Sequence, residues 1–98
     1  MSKAPPDSRS RATIASNLQQ ARAIFGFSQD RLGSQCDLHR THISAIERQE
    51  LNVGLDTVER IASALAVPAY VLLMPSAEAQ ILLQEAFRTR SLHAVSAS

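Results

Sequence analysis

The 98-residue chain has one cysteine, three glycines, four prolines and no tryptophan, and each scarcity excludes something. A single thiol, Cys36, cannot staple the chain internally, so folding must rest on apolar burial and not on a disulfide framework. Only Phe25, Phe27, Tyr70 and Phe87 are aromatic, which leaves the core to aliphatic side chains. No apolar run approaches the roughly 18 residues that signal a membrane span, so no membrane is expected as a partner. The opening MSKAPPDSRSRA lacks the apolar stretch of a secretion signal, and the cytoplasm is the expected compartment. Charge of one sign is missing too. Ten Lys and Arg against nine Asp and Glu leave a net +1, so any polyanion-binding surface must be local. No cluster of His, Asp, Glu and Ser recurs at catalytic spacing, so the chain is expected not to be an enzyme. No cofactor, metal site or small-molecule ligand is expected, and the length fits one domain.

What is present is helical periodicity. Residues 1–10, with Pro5, Pro6 and three serines, are expected as a flexible lead-in. The main domain is expected over 11–75, and a C-terminal helix with a frayed tail over 76–98. Ile14, Leu18, Ala21 and Phe25 fall on one helical face, and Gly26 supplies a stop. Ser28 can cap helix two, about 29–36, with Phe27 and Leu32 at the positions of a hydrophobic staple. Cys36-Asp37-Leu38 then interrupts it, and Asp tolerates the left-handed conformation of a tight turn. Helix three follows, about 40–48. After QELNVG the period resumes at Leu55, Val58, Ile61, Ala62 and Leu65. Pro68 is placed to open a short fifth helix carrying Val71 and Leu72. Ser76 can cap a last helix whose Ala79, Leu82, Leu83 and Ala86 share a stripe. No strand signal competes, so the expected fold is all-α, five compact helices with an additional C-terminal helix.

Two helices joined by a short turn, the second polar on one side, are the geometry that sets a helix into a DNA groove. In SQDRLGSQCDLHRTHISAIERQE the apolar positions are Leu32, Leu38, Ile43 and Ile46, and the residues between them are mostly polar. Gly33 lies where the two helices would cross closely. Arg22, Ser28-Gln29, Leu32, Gly33, the run Arg40-Thr41-His42-Ile43-Ser44-Ala45-Ile46-Glu47-Arg48, and Leu55 to Pro68 together carry a pattern. In that pattern the chain resembles the Cro/cI-type helix-turn-helix family, also called the XRE family, from about Leu18 to Leu73. LHRTHISAIER is also similar to the recognition helix of restriction–modification controller proteins. The resemblance implies a lambda-repressor-like bundle and a homodimer that binds double-stranded DNA. It also implies transcription regulation as a repressor or controller protein at a near-palindromic operator. Three positions depart from the pattern: Asp37 stands where glycine or asparagine is usual, Gln49 stands where glycine is usual, and Val53-Gly54 replaces a proline and a hydroxyl cap.

Chemistry suggests roles. Gln29, opening helix two, can donate its amide to a phosphate beside the helix N-terminus. Arg40 opens helix three, and its guanidinium fork matches the O6 and N7 acceptors of guanine. Thr41 and Ser44 lie one turn apart on the exposed face, suited to a thymine methyl or a hydrogen-bonding base edge. His42 and Arg48 sit beside that face, with Arg48 positioned to reach a phosphate. His39 occupies the helix-three cap position and is expected to face phosphate. Glu47 would be an odd charge near DNA, and the resemblance implies that it turns inward to pair with Arg22. For a dimer contact the apolar candidates are Val67, Tyr70, Val71 and Met74, with Leu82 and Leu83 either joining the seam or covering their own bundle. Two rivals stand beside this reading. Cys36, His39 and His42 form a string with zinc-like spacing but no fourth ligand. An antitoxin-like module would bind a partner protein as well as DNA.

Overall fold

The computed structural model describes the backbone of residues 8–97 and the side chains of residues 9–90. It is an all-α bundle: α1 (Ser8–Phe25), α2 (Gln29–Cys36), α3 (Arg40–Glu47), α4 (Leu55–Ala64), a 3₁₀ helix (Ala69–Leu73) and α5 (Ser76–Ala97). No strand occurs among the described residues. The expected fifth helix is thus a 3₁₀ turn, preceded by Pro68, whose fixed φ suits the position before a helix. Helix α1 starts at Ser8, so 8–10 of the expected lead-in are helical, while 1–7 lie outside the described residues. At the other end α5 runs on to Ala97 where fraying was expected from Ser91; no Gly or Pro stands between Ser76 and Ala97 to stop it. Ser76 is the first residue of α5 and not its cap. Its hydroxyl meets that of Ser16 at 2.9 Å, and the carbonyl of Pro75 accepts from Glu78 and Ala79.

The first four helices stop in one way. A left-handed residue follows each, and the next N–H reaches back to the carbonyl five residues earlier: Phe27 to Arg22 at 2.9 Å, Leu38 to Gly33 at 2.8 Å, Glu50 to Ala45 at 2.9 Å and Val67 to Ala62 at 3.0 Å. This is the Schellman closure, which satisfies carbonyls that a helix end leaves open. The left-handed residues are Gly26, Asp37, Gln49 and Ala66, with φ of 72°, 59°, 61° and 59°. Only the first is glycine. The turns keep the conformation that glycine adopts freely, and the other three accept the steric cost of a Cβ there. Three of the residues that follow are apolar, Phe27, Leu38 and Val67, and all three pack in or against the core.

That core is continuous, running from Ile14, Leu18 and Phe25 through Leu32, Ile43 and Ile46 to Ile61, Leu65, Val71 and Leu72. Helix α5 belongs to it, because Ala79 and Leu83 are fully buried against the rest. Phe87 of α5 meets Phe25 edge-on at 5.4 Å, and Arg90 lies 5.7 Å from the Phe25 ring and 5.3 Å from the Phe27 ring. The α1–α2 corner is therefore braced by the C-terminal helix. One polar side chain sits at the centre. Asn17, fully buried, donates its amide to the carbonyls of Leu72 and Met74, both at 2.9 Å, and accepts from Gln20 at 3.0 Å. An amide in an apolar core is tolerable only when so satisfied, and here it ties α1 to the 3₁₀ helix.

Candidate nucleic-acid interface

Helices α2 and α3 are held together at Gly33. A Cβ there would fall closer than 3.0 Å to the carbonyl oxygen of Leu38 and 3.4 Å from the backbone nitrogen of Arg40. The start of α3 thus rests on the backbone of α2. Each helix is capped. Ser28 accepts from the backbone N–H of Arg31 at 3.0 Å, leaving the first N–H groups of α2 pointing outward. His39 caps α3, its Nδ1 accepting from the N–H of Thr41 at 3.2 Å and lying 2.9 Å from the Thr41 hydroxyl. The capping role requires the tautomer with hydrogen on Nε2. His39 was expected to face phosphate; its Nδ1 instead serves the helix, which leaves Nε2 as its outward donor.

Ile43, Ile46 and Glu47 form the buried side of α3. At about 100° per residue, Arg40, Thr41, Ser44 and Arg48 share an arc of roughly 100° centred about 120° from the buried side, and His42 falls about 100° outside it. Arg40, Thr41 and Arg48 are exposed, while Ser44 and His42 are half-buried. Glu47 is held from two sides. Arg22 grips it with Nε on Oε2 at 2.6 Å and Nη2 on Oε1 at 2.9 Å, and Gln29 Nε2 donates to Oε1 at 2.9 Å. The same Arg22 donates to the Phe27 carbonyl at 3.1 Å, so one guanidinium locks the α1–α2 corner to α3. Its bond to Glu47 raises the Arg22 pKa above the usual arginine value. The Gln29 amide, expected on phosphate, thus spends one N–H on Glu47, and the second N–H is the one left for an anion.

Beyond α3 the sequence reading missed a partner. Arg48 donates through Nε and Nη2 to the two carboxylate oxygens of Glu50, at 2.8 and 2.9 Å, and through Nη1 to the hydroxyl of Ser44. These bonds lower the Glu50 pKa and raise that of Arg48. Gln19, also missed, donates to the Glu47 carbonyl at 3.3 Å. The zinc-like string does not converge, since Cys36 is buried with its thiol on the Leu32 carbonyl while His39 caps α3. Among the described residues no group of three or more His, Cys, Asp or Glu side chains is arranged to hold a metal ion.

Of the expected dimer contacts, Val71 does not reach the surface, and Leu83 takes the alternative of covering its own bundle. Val71 and Leu83 are 0% exposed, because the 3₁₀ helix and α5 turn them into this chain's own core. Tyr70, 62% exposed, and Leu82, 37% exposed, remain on the surface, with Val67 and Met74 half-buried. Val67, Pro68, Tyr70, Leu82 and Ala86 line an apolar groove of about 440 Å³ between the segment that leads from α4 into the 3₁₀ helix and α5. Among the described residues no helix is long and apolar enough to cross a membrane.

Two capped helices in close backbone contact, the second polar outward and anchored inward, define a helix-turn-helix domain of the Cro/cI (XRE) type. The family model described as helix-turn-helix matches residues 18–72, and the chain belongs to that family. Over 88 residues it is 40% identical to a Neisseria hypothetical transcription factor from Neisseria meningitidis serogroup B, covering 90% of this chain and 83% of that one. The crystal structure of the hypothetical transcription factor NHTF from Neisseria superposes with a TM-score of 0.69 at 40% identity, covering 84% of this chain and 94% of the other. Control protein C.BamHI of Bacillus amyloliquefaciens is 58% identical over 40 residues, 41% of this chain and 49% of its own. Control protein C.SmaI of Serratia marcescens is 42% identical over 52 residues, 53% of this chain and 62% of its own.

Proposed function

We propose that the protein is a dimeric, sequence-specific DNA-binding transcription regulator of the controller type, with α3 lying in the major groove and no catalytic role. The observation that carries this reading is the polar arc of α3. Arg40, Thr41, Ser44 and Arg48 stand clear of a core that holds the helix through Ile43, Ile46 and the gripped Glu47. Arg40 reads a guanine, Thr41 and Ser44 read neighbouring base edges, and Gln29 with the N-terminus of α2 holds a phosphate. His39 and His42 flank the arc and contribute backbone contacts. The names of the relatives, transcription factor and control protein, support the same reading.

The dimer follows from arithmetic. A few side chains at about 1–3 kcal/mol per good base contact cannot select one site against a genome of competitors, whereas two copies double the readout. Tyr70, Leu82 and Val67 with the groove they line, together with the half-buried Met74, are the seam. An isologous contact there sets half-sites about 34–36 Å apart. Selection by the full chain from a randomised duplex library tests the proposal. An inverted repeat is expected, and Arg40→Ala should relax one base position in each half at a cost of about 1–3 kcal/mol. Failure to enrich any sequence refutes the reading. Tight capture of a partner protein that survives loss of the α3 polar residues would favour an antitoxin-like module instead.

A further inference from the structure

The Schellman turn that closes α3 breaks a rule the other three obey. The residue after the left-handed position packs on the core in α1, α2 and α4, as Phe27, Leu38 and Val67 do. After α3 that residue is Glu50. Its backbone is fixed in the usual way, with the Gln49 N–H on Ile46 at 3.0 Å and the Glu50 N–H on Ala45 at 2.9 Å. Its side chain instead turns back along the helix end and takes the Nε–Nη2 edge of Arg48 at 2.8 and 2.9 Å. A local rule broken without an apolar gain points to function. Stability does not explain it, since both side chains of the pair are more than half exposed, at 56% and 54%, and such ion pairs contribute little.

The fork can be counted. Arginine has five N–H donors; Glu50 takes two and Ser44 a third, which leaves one on Nη1 and one on Nη2. We infer that Glu50 is a positioning residue. It holds Arg48 in a fixed plane with this remaining pair presented to a paired acceptor, so that Arg48 reads a guanine through O6 and N7. The inference rests on the DNA-binding reading above and deepens it. A phosphate is the poorer occupant for two reasons. Phosphate binding rests on net positive charge, and a carboxylate bonded to the guanidinium offsets that charge. Base reading gains from a rigid planar fork and loses little when the pair is neutral. Arg48, expected as a backbone contact, thereby becomes a specificity-determining residue.

Duplex selection with the full chain, compared across wild type, Glu50→Ala, Glu50→Gln and Arg48→Lys, tests this. In wild type one guanine per half-site is expected beyond that read by Arg40. In Glu50→Ala and Arg48→Lys the preference at that position should fall about tenfold, with the other positions unchanged. Glu50→Gln, whose amide oxygen still accepts one N–H, should retain part of it. The melting midpoint of Glu50→Ala should stay at that of wild type, which separates positioning from folding. An unchanged motif in Glu50→Ala overturns the inference, as does a uniform gain in affinity for all duplexes, which would make Glu50 a mere repeller of phosphate. Wild type that enriches nothing defeats the DNA-binding reading itself, whereas wild type that enriches a motif indifferent to Glu50 defeats this inference alone.

Discussion

Replacing Gly33 by valine should unfold the reading unit from within. Helix propensity alone favours the change slightly, because glycine inside a helix is about 0.5–1 kcal/mol less favourable than alanine and β-branched valine recovers only part of that. Packing opposes it. The new Cβ would enter the space of the Leu38 carbonyl, with Arg40 N at 3.4 Å, and both are backbone atoms that cannot rotate aside. The Leu38 peptide is held in turn by its N–H on the Gly33 carbonyl at 2.8 Å, so relief requires α2 and α3 to separate. Overpacking of this kind costs about 1–3 kcal/mol, and the two further methyl groups of valine set it toward the upper end. After subtracting the propensity gain, the net loss is about 2 kcal/mol. At about 4–8 °C per kcal/mol for a domain of this size, the midpoint should fall by roughly 8–16 °C in a melt followed by helical circular dichroism. Gly54→Ser is the control, because nothing lies within 4 Å of a Cβ there and serine suits the cap position of α4, so the midpoint should not fall. A Gly33→Val protein that melts at or above the wild-type midpoint would falsify the claim that backbone contact sets the α2–α3 angle.

Three further outcomes can be checked on the same instruments. Gln49→Gly and Ala66→Gly, at φ of 61° and 59°, should each stabilise the fold by about 1 kcal/mol through relief of the left-handed strain; lower midpoints in both would contradict the strain argument. Arg22→Ala strands the nearly buried Glu47 carboxylate and should cost about 3 kcal/mol, and adding Glu47→Leu should recover part of it; a double variant worse than the single one would show that the carboxylate is not the source of the loss. Burial raises the Cys36 pKa, so the native state keeps its thiol proton longer than the unfolded chain does. The stability this contributes is complete below the unfolded thiol value of about 8.5 and is lost as pH rises through the native value. The midpoint of wild type should therefore fall faster on alkalinisation than that of Cys36→Ala, and parallel curves would count against it.

Much of the molecule is legible in its residue spacing. Ile14, Leu18, Ala21 and Phe25 mark the buried stripe of α1, Gly26 marks its end, and Asp37 takes the left-handed turn its chemistry allows. Asn17 escaped notice although the signal was there, since it lies on the same stripe between Ile14 and Ala21. A polar residue on an apolar face announces a buried hydrogen-bond network only once its acceptors, the carbonyls of Leu72 and Met74, are known. Val71 and Leu83 show a different limit. Apolar periodicity tells which face is buried but not whether the same chain or a second copy covers it, and here α5 and the 3₁₀ helix cover it themselves. Glu50 was invisible for a third reason. Its role depends on a left-handed Gln49 that turns the chain back toward Arg48, and nothing in the residue type of glutamine announces that conformation.

The bracing of the first corner by α5 bears on where this protein can be cut. The segment 18–72 that carries the family pattern leaves out α5, whose Ala79 and Leu83 belong to the core. A truncation at Pro75 would uncover the apolar side of α1, strip Phe87 and Arg90 from the rings of Phe25 and Phe27, and leave the entry to α2 unsupported. The carboxy-terminal quarter is thus a splint for the reading head, and a fusion or deletion that spares only the motif will report on a damaged one.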